Sequence, residues 1–98
     1  MSPQGKTAAT DRLRRALLAF QAAQNSLLGA HRRLKALPQS EVDAFWDGSG
    51  RRIEATMRSA SAEVVAAFKI FSAAGLVAAA GDRHLVTAAQ RYLAESSA

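Results

Sequence analysis

The sequence predicts an all-α fold: an antiparallel helical hairpin with a short third helix, completing a helical bundle as a dimer. Three observations point there. Apolar residues recur at steps of four and three along two long stretches, the spacing that lines one face of a helix. Alanine is abundant and strand formers are few. Between the two stretches, at the midpoint of the 98 residues, lies Phe45-Trp46-Asp47-Gly48-Ser49-Gly50. Its glycines supply the breaker that a chain reversal needs.

Residues 1–9 are polar and are expected to form a disordered tail ahead of a single domain, 10–96. Thr10 is a good N-cap, and Asp11 places negative charge at a helix N-terminus. The first helix then covers about 10–37, where Pro38 stops it, over a length of ~42 Å. Its seam reads Leu13, Leu17, Phe20, Gln24, Leu27, His31 and Leu34, widened by Leu18, Leu28 and Leu37. Gln24 and His31 have two readings: polar residues that fix register, or the edge of a drifting stripe.

In the connection, Ser40 with Asp43 three residues on resembles a capping box, so Glu41 to Trp46 is expected to form one helical turn. Phe45 and Trp46 offer an apolar plug for the open end of the hairpin, and Gly48 is the candidate for positive φ. These three residues form the candidate turn or partner-binding motif. The second helix covers about 51–80, with Ile53, Met57, Ala60, Val64, Phe68, Phe71 and Gly75 as its seam. Gly81 reads as its C-terminal stop and Asp82 as the N-cap of a third helix, 82–95, whose apolar face is Leu85, Val86, Ala89, Tyr92 and Leu93.

A chain of this length buries a modest share of its surface alone, so a partner is expected to complete the core. The apolar strips that would meet it are Leu13, Leu17 and Phe20 on the first helix, and Val64, Phe68 and Phe71 on the second. With no cysteine there is no thiolate chemistry and no disulfide. His31 and His84 lie on different helices without a ligand at i+3 or i+4. No nucleophile motif, phosphate loop or dinucleotide fingerprint is present. The expectation is therefore a non-enzymatic protein with no catalytic, metal or cofactor-binding residues.

The longest charge-free apolar run, Ile70 to Gly81, is too short to span a membrane, and Met1 to Arg15 has no apolar core of a secretory signal. The formal charge is +5. Arg32, Arg33, Arg51 and Arg52 fall toward one end of the hairpin and form a candidate basic patch for nucleic acid. That reading ranks below a protein partner, because the aromatics lie on the core stripes and not between the arginines.

Trp46-Asp47-Gly48, between two long helices in a one-domain chain, resembles the Trp-X-Gly turn of the WXG family, the small helical hairpins exported by type VII secretion in bacteria. The resemblance covers about residues 10–80. It implies pairing as a homo- or heterodimer into a four-helix bundle, and export without a cleaved signal peptide; without that export the chain is expected in the cytoplasm. The family's export signal is Tyr followed four residues later by an acid. Tyr92 has Ser96 at that position, which would leave the signal to a partner. The chain is also basic, where familiar members tend to be acidic, and Pro38 breaks the first helix earlier than the family does. The alternative is a small helical antagonist of plasmid or phage type that binds and masks a regulatory protein; Ala36-Leu37-Pro38 and Ile53-Glu54-Ala55 are faintly similar to plasmid quorum-sensing anti-activators.

Overall fold

The computed structural model describes residues 2–96 and places four helices in them: α1, Pro3–Leu34; α2, Gln39–Asp47; α3, Ser49–Ala73; and α4, Ala80–Ser96. There is no strand among the described residues. Helices α1 and α3 form the long antiparallel hairpin. The shorter α4 folds back along α3 and touches the N-terminal half of α1, while α2 caps the other end. The result is an elongated bundle, 55 × 22 × 18 Å.

The first helix starts earlier than Thr10. Ser2 and Pro3 supply a better start: Gly5 N–H donates to Ser2 Oγ at 3.1 Å, and Pro3 takes the N-terminal position, where a missing N–H costs nothing. Residues 2–9 are therefore not a disordered tail, and Ala9 is already buried in the fold. Met1 lies outside the described residues. Thr10 sits inside the helix with its hydroxyl donating to the Lys6 carbonyl at 2.9 Å, so it has no free side chain with which to cap. At the other end α1 stops at Leu34, three residues short of Leu37. Leu37 N–H donates to the Leu34 carbonyl at 3.1 Å in a tight turn, and Pro38 then opens α2.

The hairpin seam also differs from the expected one. Along α1, Ala9, Ala16, Ala23 and Ala30 are buried at every seventh residue, alternating with Leu13, Phe20 and Leu34 and with the half-buried Leu27. Gln24 is half-buried and His31 exposed, so both lie at the edge of the stripe. The flank chosen by small side chains lets the two helices approach closely. The flank of Leu17, Gln24 and His31 instead turns toward α4 and α2. Across the seam, α3 presents Gly50, Met57, Val64 and Phe71, with Ala67 beside them. Phe20 and Val64 are fully enclosed. Ser61 is buried as well, and its hydroxyl donates to the Met57 carbonyl at 2.7 Å, which satisfies the one polar side chain of the core.

The second helix ends at Ala73, well before Ala80, and Gly75 is the reason. It is the one described residue with positive φ, +79°. Leu76 N–H donates to the Phe71 carbonyl at 3.3 Å and Gly75 N–H to that of Ser72 at 3.0 Å, the paired bonds of a Schellman stop. Gly75 is thus a terminator and not a seam position. Residues 76–79 form a short link without helix. Gly81, expected to be the stop, lies inside the first turn of α4, where Asp82 favours the N-terminus. By sequence, residues 96–98 are expected to fray; Ser96 instead closes α4, its hydroxyl donating to the Leu93 carbonyl at 3.3 Å, and residues 97 and 98 lie outside the described residues.

Candidate interaction surfaces

The Trp46 end is built from α2. This helix has nine residues where one turn was expected, and none of them is fully buried. The expected Ser40–Asp43 capping box does not form: Asp43 Oδ1 instead accepts from Gln39 Nε2 at 2.8 Å. Two aromatics tie α2 down. The Trp46 ring lies 5.1 Å from that of His31 at the end of α1, and 5.1 Å from Phe45 in a near-perpendicular arrangement. Trp46 also lies flat against the backbone of α3. A Cβ on Gly50 would overlap the indole at Cε3 and come within 3.1 Å of the Phe45 carbonyl. The expectation for Gly48 is therefore corrected. Its φ is −118°, and a Cβ there would meet only the Ala44 carbonyl at 3.7 Å. The glycine that the tryptophan requires is Gly50.

The strips expected to meet a partner serve the chain itself. Leu13, Leu17, Phe20, Val64 and Phe71 are buried against one another and α4, and Phe68 packs on the same core with its ring 6.2 Å from Phe71. Of the two courses open to the third helix, folding back on the hairpin or continuing the second helix with a kink, α4 takes the first and closes over them. Tyr92 on α4 anchors it, donating its hydroxyl to the Glu54 carbonyl at 3.3 Å. Burial raises the Tyr92 pKa, the Glu54 carboxylate adds to that rise, and Arg58 opposes it.

What the fold leaves exposed is different. Leu18 is 61% exposed and Val77 is 84% exposed. They flank a groove of about 580 Å³ between the N-terminal half of α1, the 76–79 link and the start of α4. Leu13, Leu17 and Phe71 form its floor, and Leu85 one wall. The sequence did signal Leu18, as a residue broadening the seam. Val77 was hidden in a run read as continuous helix. Recognising Gly75 as the stop would have exposed it.

Arg32, Arg33, Arg51 and Arg52 do share the α2 end of the bundle. Among the described residues none of them has a carboxylate within 4.0 Å. That end is not uniformly basic, because α2 brings Glu41, Asp43 and Asp47 to it. Farther along the hairpin, beside the central core, Arg12 and Glu63 join α1 to α3 side-on, with Nε to Oε1 at 2.7 Å and Nη2 to Oε2 at 3.2 Å. Hydrogen bonding to Arg12 lowers the Glu63 pKa, burial opposes it, and the Arg12 charge adds to the lowering. The same bond raises that of Arg12. A lowered folded-state carboxylate pKa adds stability above the ordinary glutamate range, which is lost as pH falls through the folded value. The Tm difference between wild type and Glu63→Gln should therefore be small at pH 7 and shrink further at pH 3. The same shrinkage should follow from molar salt, since the pair is exposed. A Tm gap that widens in acid would contradict this.

No family model, no characterised protein and no solved structure matches the chain. Among the described residues no three His, Cys, Asp or Glu side chains gather as a metal site would need, and no helix is long and apolar enough to cross a membrane.

Proposed function

We infer that this chain is a non-enzymatic protein–protein interaction module that pairs through its helical surface, as WXG-type hairpins do, with itself or with a related helical partner. The observation that carries this reading is the apolar groove flanked by Leu18 and Val77. Contiguous exposed apolar surface rimmed by polar residues marks an interaction site on a soluble fold, and this groove has apolar flanks and floor with Thr10, Arg14, Gln21 and Asp82 around them. Phe20 and Val64 are fully enclosed, and of the large apolar side chains left exposed among the described residues, Leu28, Leu37 and Ile70 included, Val77 and Leu18 are the most exposed. Its position also suits a helix: the groove runs between two helices, as apolar helix-binding grooves do.

A photo-crosslinking amino acid placed at Leu18 or Val77 in living cells tests the reading. Adducts to a polypeptide at these two positions, and few at the exposed Ala62 on the outer face of α3, are expected. Crosslinks only to lipid or nucleic acid, or none above the Ala62 level, would reject it.

A further inference from the structure

The lips of the Leu18–Val77 groove carry opposite charges. Arg14 stands on the α1 side and Asp82 on the α4 side. Neither is neutralised within the chain. Asp82 has no cation within 4.0 Å among the described residues, and Arg14 meets only Asp11, at 4.0 Å with both side chains largely in solvent. The apolar knobs belong to the same surface: Leu18 projects beside Arg14, and Val77 stands in the link that leads to Asp82. One surface thus holds an apolar groove, the knobs to fill one, a cation on one lip and an anion on the other.

Such a surface is complementary to itself. A two-fold axis parallel to the groove sets the α1 lip of one copy against the α4 lip of the other, so each Arg14 meets an Asp82 and each Leu18 meets a Val77. A partner of uniform charge would match one lip and repel the other. The net charge of +5 opposes self-association at long range. Physiological salt screens that repulsion beyond about 8 Å and leaves contact pairs in place. We propose that the groove seats a second copy of this chain, in a two-fold dimer closed by two reciprocal Arg14–Asp82 pairs around the Leu18 and Val77 knobs. This rests on the interaction reading above and names its partner.

Sedimentation equilibrium of the purified chain in about 0.15 M salt tests it, with circular dichroism confirming that each variant is folded. Wild type should be dimeric. Arg14→Asp and Asp82→Arg each place like charges at both contacts and should weaken the dimer about tenfold or more. An equimolar mixture of the two variants restores both pairs, and so does the double variant; each should regain wild-type affinity. Val77→Asp, at a position too exposed to affect the fold, should give monomers. Two results would overturn the proposal. One is a wild-type chain that stays monomeric, which would assign the groove to a different polypeptide if the cellular crosslinks persist. The other is a dimer that both charge reversals leave intact, which would place self-association elsewhere. A purified dimer that dissociates as above, beside cells that show no polypeptide crosslinks at Leu18 or Val77, would reject the cellular interaction reading and leave self-association through the groove in place.

Discussion

Phe20→Ala should lower the stability of the folded chain by ~3–5 kcal/mol, the cost of truncating an aromatic ring in a closed core. Phe20 is wholly enclosed where α1, α3 and α4 meet, and the cavity cannot be relieved by neighbouring alanines, which have no longer side chains to move into it. Against a typical domain stability of ~5–15 kcal/mol the loss is large enough to leave a measurable unfolded population. Leu18→Ala, two residues away, is the control. Its side chain is mostly in solvent, so the same class of truncation should stay within about 0.5 kcal/mol for the monomer. Urea titration followed by helical circular dichroism separates the two. A Phe20→Ala loss below ~1 kcal/mol would mean that the centre of the bundle is not where the structure places it.

The second large effect depends on its background. Gly50→Ala pushes a methyl into the Trp46 indole, and overpacking of this kind costs ~1–3 kcal/mol. Trp46→Ala removes the ring from a half-buried position and should cost less than the ~3–5 kcal/mol of a fully enclosed one. Once the indole is gone, the one close neighbour left is the Phe45 carbonyl, 3.1 Å from the new methyl. The helix preference for alanine over glycine, up to ~1 kcal/mol, offsets that contact. Gly50→Ala should therefore cost clearly less in the Trp46→Ala variant than in wild type. This double-mutant cycle isolates the contact itself. Equal effects of Gly50→Ala in both backgrounds would show that Trp46 does not rest on the α3 backbone.

The all-helical class and the hairpin were legible because apolar spacing reports directly on the period of the backbone. The particular face was less so. Leu13, Phe20 and Leu34 could be read, but the choice between Ala23 and Gln24, or Ala30 and His31, depends on how closely another helix approaches. An alanine on a seam looks the same in sequence as an alanine on a surface. The ends of the helices failed for a related reason. Gly75 and Gly81 are equally good stops by residue type, and the decision rests on where α4 must begin to cover Leu17 and Phe71. The interaction surface was least legible, since the residues best suited to a partner by hydrophobicity were used within the chain. Leu18 and Val77 emerged only once those others were enclosed.

The alanines of α1 have a consequence for how the two long helices find their alignment. Ala9, Ala16, Ala23 and Ala30 repeat at intervals of seven, so sliding α1 by two turns sets alanine where alanine was. That half of the seam carries no information about position. Alignment must be encoded by features that occur once: the enclosed ring of Phe20, the one tryptophan, which covers the bare backbone at Gly50 and meets His31 of α1, and the Arg12–Glu63 link far from the connection. These lie at separate points along the hairpin. They act as three unequal teeth on an otherwise uniform rack, and only one setting engages all of them.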